Sequence, residues 1–465
     1  MRIKQIVRIV RGRLLAGDAQ RDVAPDRIIT DSRAIKPGDF FVALSGPNFD
    51  GNDYAEEAIA RGACGVIVTR YNGKPCTCGA AVIKVRDAVR ALQDIAAYHR
   101  LKFRIPVVAV TGSNGKTSVK DMIAAVLSKK FCVLKSEGTK NNHIGVPQTI
   151  LKLNNTHEVL VLELGTNHKG EIKTLGAIAS PTIAVMTNIG PSHLEFLKDL
   201  DGVYNAKREI LDTLYGKSPL VIVNGDDPYL SRIRPKHFKL ITYGLNGGNN
   251  INAGNIIILK NKINFRVIIG SVKKLFGKEK KEFELNLLGV HNIYNALAAI
   301  AVGRASGVGY KPLYDALLKF TPTRLRLDLK EARGITIIND AYNSNPLSMK
   351  SAVGALANYP AVSRWVVSGD MMELGAKAAS FHKMVGRQIA DKRIDGLITL
   401  GRYSRYTSLE ARAAGMRKDR VWHLHNHDEI VSVLRRMVKR GDAVLVKGSR
   451  GMRMETVAEK FCEKG

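Results

Sequence analysis

The stretch Gly112-Ser113-Asn114-Gly115-Lys116-Thr117-Ser118 carries the residue types that hold nucleotide phosphates. Glycines let backbone N–H groups approach phosphate oxygens, a following helix adds partial positive charge at its N-terminus, and a lysine adds a full one. Thr117 would place its hydroxyl on the Mg²⁺ that accompanies such a nucleotide. The spacing is G-x-x-G-K-T, because Val110 stands where the longer G-x-x-x-x-G-K-[ST] pattern has its first glycine. The bland alternative is a tight strand-to-helix turn with a solvated lysine. The spacing and its flanks favour an ATP-phosphate loop.

Other candidates lie downstream. Glu163 ends the apolar run Val159-Leu160-Val161-Leu162 and precedes Leu164-Gly165, where a carboxylate is a natural second oxygen ligand for Mg²⁺. His193 follows Asn188-Ile189-Gly190-Pro191-Ser192 in a loop; by itself such a histidine is ordinarily just hydrogen-bonded. Lys207, in Asn205-Ala206-Lys207-Arg208, reads by itself as a lysine on a solvated helix face. Asn142 belongs to a turn-rich loop, Thr139 to Pro147, whose amides could orient an anion or simply close an Asx-turn. Asn292 opens a helix and is an N-cap candidate, with Asn295 one turn on. Ser32 and Arg33 precede a strand, where they could hold a phosphate or sugar or be a turn serine and a solvated arginine.

These residues need strands and helices to place them. Val107 to Val110, bounded by Pro106, reads as a short buried strand, and Val119, Met122, Ile123 and Val126 follow at helical spacing. Residues 1–104 read as a small α/β unit. From 105 to 320, buried strands alternate with helices, which argues for a mainly parallel sheet covered on both faces. Residues 321–465 repeat that logic as a Rossmann-like unit, with Ile335-Thr336-Ile337-Ile338 running toward Asp340. Ligands bind at the carboxyl ends of strands in such sheets, so the polar strand ends mark the expected active edge.

At 465 residues the chain fits two to four domains, and 45% hydrophobic with 25% charged residues is ordinary for a globular protein. No run of about 18 apolar residues suggests a membrane span. The charged N-terminus makes a poor signal peptide. Five scattered cysteines, with Cys76-x-Cys78 lacking a second pair at metal-ligand spacing, suggest free thiols in a reducing cytoplasm. The net charge of +30 invites a nucleic-acid-associated ATPase. However, the basic residues are spread out, and the densest cluster, from Lys273 to Lys281, holds a single aromatic, Phe276, rather than the series of stacking aromatics that single-strand binders use, so no nucleic-acid partner is expected.

Taken together, these stretches resemble the Mur ligase family, the ATP-dependent amide-bond ligases of bacterial peptidoglycan synthesis. The match runs in order through Asp31-Ser32-Arg33, the loop at 111–117, Asn142 with Gly145 and Pro147, Glu163-Leu164-Gly165, Asn188 to His193, Lys207, His291-Asn292 with Asn295, Arg326, and Asp340 to Pro346. Within the family, Asp340 to Met349, Gly369 to Gly375 with His382, and Lys447 to Arg450 are most similar to members that add D-alanyl-D-alanine to a UDP-N-acetylmuramoyl tripeptide. The resemblance implies an acyl-phosphate route in which Lys116, Asn142, His193 and Lys207 are catalytic. It implies two Mg²⁺ sites drawn from Thr117, Glu163, His193 and a carbamylated Lys207. Asn292, Arg326 and Asp340 would surround the nucleotide, with Arg326 fitting the spacing better than Arg324. Ser32 and Arg33 would hold the UDP end, and the chain would act as a monomer. Other Mur ligases and folate polyglutamate ligases are the near alternatives.

Overall fold

The computed structural model describes residues 1–73, 79–270 and 277–463. The Cys76–Cys78 pair and Lys273-Lys274 lie outside these described residues.

Among the described residues three large sheets organise the chain, beside a two-stranded pair, Ser45–Gly46 with Phe49–Asp50. The first has the strand order Arg13–Ala16, Ala81–Lys84, Gly65–Val68, Phe40–Val42, Ile28–Ile29, parallel except where Arg13–Ala16 pairs with Ala81–Lys84. The central sheet has nine strands. Val107–Thr111 lies in its parallel part, between Val159–Glu163 and Ile183–Met186, with Leu220–Asn224 and Lys239–Gly244 continuing beyond. The antiparallel strands Ile251–Ile258, Ile263–Ile269 and Glu279–Leu285 close its far side. The third sheet has six strands, and Ile335–Asn339 pairs in parallel with Ala443–Lys447 near its middle.

Val107–Thr111 reads as a continuous apolar run because both faces are covered. Val107 and Ala109 point into one core, while Val108 and Val110 point into another with Val119, Met122, Ile123 and Val126 of the helix Lys116–Leu127. The helix His291–Ala305 packs against Lys116–Leu127 on that second face. The helix Ala88–Arg100 ties the first sheet to the central unit. Its buried Arg100 donates to the carbonyls of Phe103, Ile105 and Ala179. No helix among the described residues is long and apolar enough to cross a membrane.

Candidate active site

The phosphate-loop geometry follows from two glycines. Gly112 has φ +146°, and a Cβ there would sit 1.9 Å from Thr187 Oγ1. Gly115, at φ +80°, turns the chain into the helix beginning at Lys116. Neighbouring strand ends hold the turn: the Ser113 N–H donates to the Asn188 carbonyl (2.9 Å), the Asn114 N–H to Asn188 Oδ1 (2.9 Å), and Thr187 Oγ1 to the Asn114 carbonyl (2.6 Å). Ser113 Oγ donates to the Gly190 carbonyl (2.9 Å). The next four N–H groups, Gly115, Lys116, Thr117 and Ser118, donate to no acceptor among the described residues. Four adjacent free donors at a helix N-terminus form an anion cradle. Lys116 Nζ folds back onto the Gly112 and Ser113 carbonyls (2.8 and 3.2 Å). Burial lowers its pKa, partly offset by Glu163, and Arg326 lowers it further.

Glu163 is 1% exposed at its strand end. Its Oε1 accepts from Asn141 Nδ2 (2.7 Å), while the buried Oε2 has no partner among the described residues. A buried carboxylate oxygen without a donor is costly unless a cation completes it, so this atom and the Thr117 hydroxyl suit a hard metal shared with phosphate oxygens. No cluster of three or more His, Cys, Asp or Glu among the described residues forms a metal cage by itself.

Lys207 differs from the solvated residue its local sequence suggests. It is 1% exposed on the helix Leu200–Arg208, and its ammonium makes no hydrogen bond or ion pair among the described residues. Burial, reinforced by Lys116, holds its pKa well below that of an ordinary lysine, which leaves a neutral, nucleophilic amine more accessible.

The third unit docks over this edge. Arg326 Nη2 donates to Thr117 Oγ1 (3.0 Å), and its guanidinium lies 4.3 Å from the centre of the Tyr342 ring. The Tyr342 hydroxyl reaches Thr139 Oγ1 (2.7 Å), and Asn345 exchanges amide hydrogen bonds with Asn114 (2.8 and 3.2 Å). Arg324, by contrast, pairs with Glu459 at the surface (2.6 Å). Asp340 accepts from buried Lys447 (2.6 Å), which also donates to the Asn343 carbonyl (2.9 Å). His193 Nδ1 meets Glu373 Oε2 at 2.5 Å, and that contact lowers the Glu373 pKa.

The result is a cavity of about 1430 Å³ lined from all three units, including Arg90 and Gln93 of the first. It gathers Ser113 to Ser118, Asn142, Glu163, His193, Asn292, Arg326 and Asp340. Lys207 is not in its lining.

One local reading changes and two open alternatives are specified. Asn292 does not cap its helix: the helix begins at His291, and Asn292 Nδ2 donates back to the Leu288 carbonyl (2.7 Å) while its Oδ1 accepts from Asn295 (2.9 Å). Asn142 Oδ1 closes the turn through the Ile144 and Gly145 N–H groups, leaving its neighbour Asn141 to hold Glu163. Ser32 and Arg33 lie outside the cavity lining. The Arg33 side chain is 88% exposed and forks onto Asp31, and the carbonyls of Ser32 and Arg33 accept from Arg61. Asn141, Asn188, Tyr342, Glu373 and Lys447 sit in stretches the sequence singles out, but no local spacing distinguishes them as site residues.

Comparison with known proteins gives concordant matches. Family models described as Mur ligase family, catalytic domain, Mur ligase middle domain, and Mur ligase, glutamate ligase domain match residues 26–100, 110–303 and 325–450. The UDP-N-acetylmuramoyl-tripeptide--D-alanyl-D-alanine ligase of Bacillus subtilis (strain 168) is 35% identical over 463 residues, covering 99% of this chain and 98% of that protein. The ligase of the same name from Escherichia coli (strain K12) is 34% identical, covering 100% and 98%. Among solved structures, MurF from Acinetobacter baumannii superposes with a TM-score of 0.89 at 29% identity, covering 100% of this chain and 99% of that one. MurF ligase from Thermotoga maritima in complex with ADP gives 0.84 at 27% identity, covering 95% and 98%.

Proposed function

This chain belongs to the Mur ligase family, and from that premise we propose that it joins D-alanyl-D-alanine to a UDP-N-acetylmuramoyl tripeptide with conversion of ATP to ADP and phosphate. The observation that carries the chemistry is that the cradle of four free N–H groups and Glu163, with one carboxylate oxygen unpartnered among the described residues, line one cavity reached by all three units.

The reaction must bring a peptide carboxylate against a triphosphate, and two anions repel. The N–H groups of Gly115 to Ser118 and the Lys116 ammonium take up the phosphate charge. The carboxylate oxygen attacks the γ-phosphorus, the bond to the β-bridging oxygen breaks, and ADP leaves. The dipeptide amine then attacks the acyl phosphate, losing a proton as phosphate departs. Thr117 and Glu163 would hold one Mg²⁺, and His193 with a carbamate on Lys207 a second. Bound there, Mg²⁺ would neutralise phosphate oxygens. The depressed Lys207 pKa supports carbamylation, because only the neutral amine adds to carbon dioxide.

Arg326, brought to Thr117 by docking of the third unit, stands where it can meet nucleotide phosphates. Asn142, Asn292 and Asp340 line the same cavity, where Asn292 and Asp340 would wall the nucleotide. Docking also excludes water, which would otherwise hydrolyse the acyl phosphate. In this reading residues 1–104 bind the UDP substrate through Ser32 and Arg33, residues 105–320 bind ATP, and residues 321–465 bring the dipeptide and close the site. The protein works as a cytoplasmic monomer.

The test is phosphate release with UDP-N-acetylmuramoyl tripeptide, comparing D-alanyl-D-alanine, single amino acids and glutamate as acceptors. Release that depends on the dipeptide is expected. Turnover with glutamate alone would overturn the assignment in favour of another amide ligase of the superfamily.

A further inference from the structure

His193 and Glu373 are 180 residues apart and belong to different units, yet both adopt left-handed backbone conformations where their side chains meet (φ +54° and +61°). For a residue with a Cβ that conformation is strained, so surrounding contacts must impose it. They do so on the Glu373 side. The Met371 N–H donates to His382 Nε2 (3.0 Å), and His382 Nδ1 is fixed on the Ala378 carbonyl (2.7 Å). Asp370 accepts from the Tyr403 and Ser404 N–H groups (3.0 and 2.7 Å), and the Met372 N–H donates to Ser449 Oγ (2.8 Å). Across the junction, the Glu195 N–H donates to the Glu373 carbonyl (3.3 Å).

We infer that Glu373 is a positioning residue: docking of the third unit delivers its carboxylate to His193 Nδ1, which fixes the ring and leaves Nε2 as the nitrogen free for the cavity. A histidine ring without a partner can flip and can carry its proton on either nitrogen. A carboxylate on one nitrogen settles both the orientation and the tautomer. His193 therefore becomes ready for the reaction only when the site is closed to water. This inference rests on the ligase reading for its consequence in turnover, but not for the contact itself.

Two variants test it. Glu373→Gly removes the carboxylate while suiting φ +61°, so the loop is kept. Glu373→Gln leaves an amide oxygen that can still accept from Nδ1–H. In ¹⁵N-histidine-labelled protein without ligands, with the His193 signal identified by its loss in His193→Gln, the native ring should show a single Nδ1-protonated form. Glu373→Gly should show a mixture, and Glu373→Gln should recover part of the native signal. In turnover, Glu373→Gly should lower kcat about 10–100-fold with KM for ATP within about twofold, and Glu373→Gln should lose less. An unchanged tautomer in Glu373→Gly overturns the inference even if kcat falls, because Glu373 would then act through docking alone. A kcat within about twofold of native overturns it as well. Should the native protein show no dipeptide-dependent phosphate release, the ligase reading fails, while the tautomer measurement still decides the role of Glu373.

Discussion

Replacing Lys207 with methionine should make the protein both more stable and inactive. The native lysine is 1% exposed, has no side-chain hydrogen bond or ion pair among the described residues, and lies near a second cation, Lys116. Methionine fills a similar volume with no charge to desolvate, and replacing buried charges with apolar groups of similar size has stabilised proteins by about 1–4 kcal/mol. The sign of the pH dependence is fixed by the direction of the shift. Between the depressed folded value and the unfolded value of about 10.4, the unfolded chain holds a proton that the folded protein lacks. Native stability therefore rises with pH through that window, by up to about 1.4 kcal/mol per unit. The methionine variant has no such slope, so its advantage is largest at and below the depressed folded value and shrinks as the pH rises toward the unfolded value. Both tryptophans, Trp365 and Trp422, lie in the third sheet, so fluorescence would report the wrong unit. Hydrogen exchange of peptides covering 200–208 and 220–224 reports local opening free energy there. These measurements belong in CO₂-free buffer, where only the bare amine is compared. Phosphate release by the variant should fall at least about 100-fold, and bicarbonate should raise native activity but not the variant's. A variant less stable than native at pH 7, a gap that does not narrow between pH 7 and pH 9, or activity within tenfold of native would each refute the reasoning.

Three further outcomes follow from the site. Glu163→Gln keeps an oxygen for Asn141 but removes the charge from the unpartnered position, so turnover should drop about 100-fold or more; calorimetry should show that Mg²⁺ no longer tightens ADP binding. Arg326→Ala should cost about 2–4 kcal/mol of transition-state stabilisation, whereas Arg324→Ala, which breaks only a surface pair, should leave kcat/KM within about twofold. Gly112→Ala forces a Cβ to 1.9 Å from Thr187 Oγ1 at φ +146°, and thermal unfolding should show a loss of about 2 kcal/mol or more together with loss of the shift that ADP gives the native protein.

What the sequence determined was local. The free N–H cradle is built by consecutive residues, and the apolar run before it and the helical stripe after it set the strand and helix that shape it. Glu163 was legible in the same way, since it ends a buried strand adjacent to that loop. One short-range reading failed: the helix after Gly289 starts one residue before Asn292, which therefore does not cap it. Of the two roles open to Asn142, its side chain closes the turn, and the neighbouring Asn141 holds Glu163, because an asparagine's role depends on where its side chain points. Tertiary structure alone decided which distant groups meet: Arg326 with Thr117, Tyr342 with Thr139, Glu373 with His193. It also decided that Lys207 is buried without a counter-charge among the described residues and that Ser32 and Arg33 stay outside the cavity. The physical reason is range. Backbone hydrogen bonding and side-chain periodicity act over a few residues, whereas burial, desolvation and docking depend on surfaces that exist only after separate sheets have formed and packed together.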